Sequence, residues 1–178
     1  MTRGARSAAW LFGPASAIYL LDRFTKVWAE HVLEGRTPIQ LLPGIRLAFT
    51  TNPGGAFSIG GGAPLVFVAA TAIVSALIVA TAARHERTIA SVSLGLILGG
   101  ALGNLTDRLV RGSGFRGHVV DFIDIGPWPV FNIADSAIVI GAILLAWSGL
   151  RTRREPATVS SGPEAGPEAG PEAGRDGD

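Results

Sequence analysis

Cysteine is missing from this chain altogether. That excludes disulfides, thiolate nucleophiles and thiolate-ligated metals, and it leaves the redox compartment open. Charge is scarce as well. Only 16% of residues are Asp, Glu, Lys or Arg, where a soluble domain carries about a quarter. The net charge of +1 provides no bulk attraction for nucleic acid, and no such partner is expected. What fills the chain instead is apolar: 48% is hydrophobic and the mean hydropathy is +0.39.

The apolar residues fall into long runs, and a membrane-spanning helix needs about 20 of them. Spans are predicted over 8–28, 63–83, 89–109 and 131–150. The first is interrupted by Pro14 and carries Asp22, Arg23 and Lys26 toward its end. The second has no charge at all. The third is apolar until Asn104, Asp107 and Arg108, and the fourth carries Asp135 near its start. The first run lacks a small-residue cleavage pattern and does not read as a cleaved signal peptide.

Basic residues in short loops set orientation. Arg3, Arg6, Arg84, Arg87, Arg151, Arg153 and Arg154 lie densely in short flanks, whereas Arg23, Lys26, Arg36, Arg46, Arg108, Arg111 and Arg116 are spread over long ones. Density therefore predicts both termini in the cytoplasm. Under that topology Asp22, Asp107, Asp121, Asp124 and Asp135 all converge on the outer membrane boundary, with Asp121 and Asp124 in the loop between the third and fourth spans. The outer loop 30–62 shows alternation in Ile45-Arg46-Leu47-Ala48-Phe49-Thr50, which predicts a strand or two lying on the membrane surface, with Pro43-Gly44 as a turn. Asn52-Pro53-Gly54-Gly55-Ala56-Phe57 reads as an interfacial segment where backbone approaches something closely. Residues 1–155 are expected to form one membrane domain. Residues 156–178, with tandem Pro-Glu-Ala-Gly units, cannot bury a core and are expected to be disordered.

An acid near hydrocarbon costs about 2.5–3.5 kcal/mol even on lenient insertion scales, so each one needs a reason. Asp22 and Lys26, spaced i, i+4, suit a structural ion pair or a substrate-orienting one. Asn104, Asp107 and Arg108 share a helix face. With Arg108 beside it and Arg111 one turn on, Asp107 reads as held ionised and supporting rather than reacting. Asp121 and Asp135 differ: each has apolar neighbours and no adjacent cation. Burial and mutual repulsion would leave such a pair sharing one proton, able to activate a water and protonate a leaving amine. An ion or proton relay is the competing use of the same acids. It predicts acids deep in the membrane or on both boundaries, or a repeated half. No cofactor is expected, and no metal: His118 with Asp121 and Asp124 is a thin donor set. Ser113 and Ser136 lack a well-placed histidine base. Gly99, Gly100 and Gly103 read as helix-packing positions.

Five blocks together carry a resemblance: Asp22-x-x-x-Lys26; Asn52-x-Gly54-x-Ala56-Phe57; Gly99-Gly100-Ala101-Leu102-Gly103-Asn104-x-x-Asp107-Arg108; Val119-Val120-Asp121-Phe122; and Phe131-Asn132-x-Ala134-Asp135-Ser136. In this order they resemble the lipoprotein signal peptidase (signal peptidase II) family. The resemblance implies an all-α integral membrane protein of the bacterial inner membrane, with four transmembrane helices and a small extracytoplasmic β-rich cradle. It implies an aspartic endopeptidase that removes the signal peptide of prolipoproteins, cutting before a diacylglyceryl-modified cysteine. The catalytic aspartates then fall on Asp121 and Asp135. Asp22, Lys26, Asn52, Gly54, Asn104, Asp107, Arg108 and Asn132 fall on positions that hold substrate or dyad in place. The partners implied are the lipidated prolipoprotein and membrane lipid, with the enzyme as a monomer. The connection through Arg111–Gly117 is longer than in many relatives and that through Gly126-Pro127-Trp128-Pro129 is short, so closure over substrate is expected to differ there.

Overall fold

The apolar runs fold as four helices in the computed structural model, which describes residues 3–53, 64–82, 88–112 and 117–152. These are α1 (Arg3–Leu33), α2 (Pro64–Thr81), α3 (Thr88–Val110) and α4 (Ile133–Thr152). Gly54, Ala56, Phe57, Arg84, Arg87, Ser113, Arg116, Arg153, Arg154 and the Pro-Glu-Ala-Gly tail lie outside the described residues. α1 is longer than its apolar run and continues through Pro14. A proline removes one backbone bond from a helix, and apolar surroundings tolerate it when neighbouring helices compensate. Beyond Trp28 the helix persists because Ala29 and Leu33 are buried against Val120 and Phe122.

α3 is the central helix: it packs most extensively against α1 and α4, and α2 rests on it. Small residues make this possible. A Cβ on Gly99 would lie 2.5 Å from the Ala15 carbonyl oxygen and 3.0 Å from the Ile18 Cβ, and one on Gly103 would strike the Asp22 carboxylate. The glycines therefore serve as packing positions, as their sequence pattern predicts. Gly99→Val should force α1 and α3 apart and destabilise the protein by about 1–3 kcal/mol. A lowered thermal unfolding midpoint in detergent measures this, and an unchanged midpoint contradicts it. One apolar core gathers Leu11, Ala15, Ile78, Ala82 and Leu98 between α1, α2 and α3. At this end of the bundle the Ser7 hydroxyl meets the Ser91 hydroxyl at 3.1 Å.

The outward faces are apolar too: Leu20, Phe24, Ile73, Leu77, Val139, Ile143 and Leu150 are all exposed. Contiguous apolar surface of this kind belongs in lipid rather than water. Among the described residues, two helices are long and apolar enough to cross a membrane, Thr88–Val110 and Ile133–Arg151; the apolar stretch Val68–Thr81 is shorter.

At the other end sits a three-stranded antiparallel sheet in the order β1 (Ile39–Leu42), β2 (Ile45–Asn52), β3 (Val119–Asp124). Pro43-Gly44 forms the expected turn, with Gly44 at φ 80°, a conformation glycine adopts without steric cost. β3 corrects the expectation of a loop between α3 and α4. Val119, Val120, Phe122 and Ile123 are strong strand formers, and they outweigh the acids set among them. β3 pairs with β2 through Thr50 and Asp121, and through Asn52 and Val119. The short connection to α4 folds back on the strand, with the Phe131 N–H donating to the Ile123 carbonyl at 3.0 Å.

Candidate active site

Asn132 precedes α4 and caps it. The Asp135 N–H donates to Asn132 Oδ1 at 2.9 Å, and the Asn132 N–H donates to Asp135 Oδ2 at 3.2 Å. This reciprocal arrangement satisfies two helix-terminal donors and holds Asp135 rigidly in the first turn. The Ala134 N–H is taken by Asp22 Oδ1 at 3.1 Å, so α1 also caps α4.

The cap reaches the strand. Asn132 Nδ2 donates to Asp121 Oδ1 at 2.6 Å and approaches Asn104 Oδ1 and the Val120 carbonyl, each at 3.2 Å. Asn104 Nδ2 donates to Asp135 Oδ1 at 2.8 Å. Asn52, the last residue of β2, hydrogen-bonds the Asp121 carboxylate from the other side. Asp121 is 2% exposed. Burial first, and the nearby Asp135 charge second, push its pKa from 3.8 up to about 7. Both effects disfavour the ionised form. The amide bonds from Asn132 and Asn52 and the charge of Lys26 oppose them without prevailing.

Behind this pair lies a fully buried ion cluster. Lys26 Nζ is 2.8 Å from Asp22 Oδ2, 3.0 Å from Asp107 Oδ2 and 2.8 Å from Asn104 Oδ1. Asp107 also pairs with Arg23 and with Arg111 (Nε at 2.9 Å), and it accepts the Val120 N–H at 3.3 Å. Arg111 pairs in turn with Glu30. Asp107 thus pairs with Arg111, as the sequence spacing suggests, but not with its neighbour Arg108. Arg108 turns away and donates to the Asn104 carbonyl at 3.2 Å, because neighbours at i, i+1 project from different faces of a helix. Arg23 fills an unspecified position of the Asp22-x-x-x-Lys26 block and Glu30 lies outside every block, so adjacency in the sequence does not disclose either.

Asp124 is a separate structure. It pairs across the sheet with Arg46 at 2.7 Å and accepts the Gly126 N–H at 2.9 Å. The Gly126 bond first and Arg46 second hold its carboxyl below the usual range. His118 is half-buried just ahead of β3. Among the described residues no group of three or more His, Asp or Glu could hold a metal ion. Asp22, Lys26, Asn52, Asn104, Asp107, Asp121, Asn132 and Asp135 are therefore drawn together in one network, with Arg108 bonded to its backbone.

In front of the network is an apolar cavity of about 310 Å³ lined by Ile125, Trp128, Phe131, Ser136, Val139, Ile140 and Asp135. Asp135 is the charged group in that lining, and it faces the space while Asp121 lies behind it. An apolar cleft with convergent titratable groups and a perturbed acid is the usual form of a binding or catalytic site.

Residues 15–151 match the family described as signal peptidase (SPase) II. The chain belongs to the signal peptidase II family. Its relatives include a lipoprotein signal peptidase of Streptomyces coelicolor, 42% identical over 160 residues, covering 89% of this chain and 78% of that protein. Another, from Rhodococcus jostii, is 44% identical over 141 residues, covering 76% and 69%. Among solved structures, a bacterial membrane enzyme determined by the in meso method at 2.3 Å superposes with a TM-score of 0.73 at 28% identity, covering 82% of this chain and 90% of that one. Membership makes the chain a membrane protease, and it disfavours the relay reading of the same acids.

Proposed function

We propose that this signal peptidase II family member removes the signal peptide of prolipoproteins by cleaving before a diacylglyceryl-modified cysteine, with Asp121 and Asp135 as its catalytic pair. The observation that carries the assignment is the bridge through Asn132. It joins a strand carboxyl with a pKa of about 7 to a helix-capping carboxyl that faces an apolar cavity. The pair shares one proton. The ionised member takes a proton from water as the water attacks the scissile carbonyl, and the other protonates the carbonyl oxygen. The cavity beside Asp135 takes the apolar region of the substrate around the lipidated cysteine. The segment Asn52 to Phe57, with Gly54, covers the peptide. Asp22, Lys26, Asn104, Asp107, Arg108 and Asn132 hold dyad and substrate in place.

All four helices cross the membrane in this reading, over residues 8–28, 63–83, 89–109 and 131–150, with both termini in the cytoplasm. Asp135 and the sheet then lie at the extracytoplasmic boundary of the bacterial inner membrane. Residues 1–155 form the enzyme, which acts as a monomer among lipids. The gathering of the acids at one end of the bundle supports this reading over a relay, which needs a path across the membrane.

The test is cleavage of a diacylglyceryl-modified prolipoprotein by the purified chain in lipid, beside the unmodified precursor. Cleavage of the modified form alone supports the reading; a folded protein that cuts neither overturns it. The pH profile carries a second expectation. A proton held with a pKa of about 7 is lost as pH rises through that value. The doubly ionised pair has no acid, so kcat/KM should fall about tenfold per pH unit above the limb. The same raised pKa means the folded state binds this proton more tightly than the unfolded chain does. Its contribution to stability is full below pH 3.8 and is lost as pH rises toward about 7.

A further inference from the structure

The hydrogen bonds behind the catalytic pair have a direction, and the direction starts at Lys26. Its ammonium group has donors and no acceptor. Fully buried, it lies 2.8 Å from the side-chain amide of Asn104, so the amide atom facing it must be the oxygen. The NH2 of Asn104 then faces Asp135 Oδ1 at 2.8 Å and can only donate. Asp135 Oδ2 meets the backbone N–H of Asn132 at 3.2 Å, another group that only donates. The Asp135 N–H bonds Asn132 Oδ1, which fixes the second amide so that its NH2 faces Asp121 Oδ1 at 2.6 Å. Both oxygens of Asp135 are thus met by obligate donors, in the first turn of α4, at the positive end of the helix dipole, which favours negative charge. Asp121 has no helix terminus behind it, is 2% exposed, and has Asn52 as its further partner. Asn52 is a neutral amide, which stabilises a carboxylate less than a charged donor or a helix N-terminus does.

We propose that Lys26 is a positioning residue: through Asn104 it commits Asp135 to the carboxylate role and leaves the shared proton of the resting pair on Asp121. This rests on the reading of Asp121 and Asp135 as the catalytic pair. The charged groups that face the pair are Lys26, with Asp22 beside it, from α1, and Asp107 and Arg108 from α3. β2 contributes the neutral Asn52. The order of events follows. A water proton passes to Asp135 as the water oxygen bonds the carbonyl carbon, and the Asp121 proton passes to the carbonyl oxygen, giving a neutral diol. The C–N bond then breaks as Asp121 takes back a diol proton and Asp135 gives its proton to the departing nitrogen. The pair returns to its starting state with atoms and charge balanced.

Infrared difference spectra of the full chain in lipid nanodiscs, with aspartate labelled by ¹³C at the carboxyl, read the proton directly. The parent should show a protonated aspartic acid titrating near pH 7. At about pH 5 that signal should vanish in Asp121→Asn and persist in Asp135→Asn, where the loss of the neighbouring charge shifts its titration downward. The reverse pattern, or no titrating acid in the parent, overturns the proposal. Lys26→Met combined with Asp22→Asn removes both buried charges together. In that background Asn104 is free to turn its carbonyl toward Asp135, so the acid signal should now survive Asp121→Asn. Cleavage should drop in kcat by at least about tenfold with KM within about twofold. A signal still lost in Asp121→Asn in that background removes Lys26 from the role. If the double variant fails to fold, the comparison of parent, Asp121→Asn and Asp135→Asn still decides where the proton rests. These spectra need no substrate, and a parallel cleavage assay of the parent reports separately on the proposed activity.

Discussion

Asp121→Asn and Asp135→Asn should each reduce the cleavage rate by about 10³-fold or more while helical content is retained. General acid–base groups contribute about 10²–10⁴ each, and members of one catalytic unit fail together rather than additively. The double variant should therefore be little worse than either single one. Asparagine has nearly the shape of aspartate, so the fold has reason to survive. Asn132 Nδ2 still finds an amide oxygen at position 121, whereas at 135 the single amide oxygen can serve only one of Asn104 Nδ2 and the Asn132 N–H, so one of those bonds is lost. What is lost is the ability to carry or accept a proton. Asp124→Asn is the matched control. Its carboxylate is occupied by Arg46, which is half exposed, and by the Gly126 N–H, so a screened pair is lost and the rate should stay within a few-fold. Rates measured on the lipidated precursor, with circular dichroism alongside, decide the matter. Parent-like activity in either dyad variant would take the catalytic role away from that residue.

The proposed catalytic pair was legible in the sequence because membrane burial makes an acid conspicuous. Asp121 and Asp135 stand out as acids without an adjacent cation, and the structure joins them through Asn132. The helices were legible for the same reason, since long apolar runs have few other uses. Their ends were harder to read. α1 continues to Leu33 because Ala29 and Leu33 pack beneath the sheet, and that packing depends on a strand formed by residues far along the chain. The strand itself was hidden. In Val119-Val120-Asp121-Phe122-Ile123-Asp124 the acids drew attention to chemistry, while the β-forming residues around them set the backbone. The partners of Asp107 were least legible. Nothing periodic in the sequence connects Arg23 to Asp107, and the nearest candidate, Arg108, points elsewhere.

Asp107→Ala should be the most destabilising single change in the network. Its side chain is fully buried, and Arg23, Lys26 and Arg111 all pair with it. Removing the carboxylate does more than delete favourable contacts. Lys26 keeps Asp22 and Arg111 keeps Glu30, but Arg23 loses its carboxylate and the cluster is left with excess positive charge away from water. Breaking a buried pair in this way costs about 3–5 kcal/mol, a fall of on the order of ten degrees in the unfolding midpoint for a chain of this size. Asp107→Asn should fall between parent and alanine variant, because it keeps an acceptor for the Val120 N–H while losing the charge. That bond also ties the damage to function. Val120 immediately precedes Asp121 on β3, and its N–H is anchored by Asp107 at 3.3 Å. Even below its lowered midpoint, the alanine variant should cleave more slowly, because the strand that carries the acid has lost its tether to α3. Arg111→Met, which leaves Asp107 paired with Arg23 and Lys26, should cost far less on both measures. If Asp107→Ala instead melts within a degree or two of the parent, the buried charges are being compensated elsewhere and the cluster is not what fixes β3.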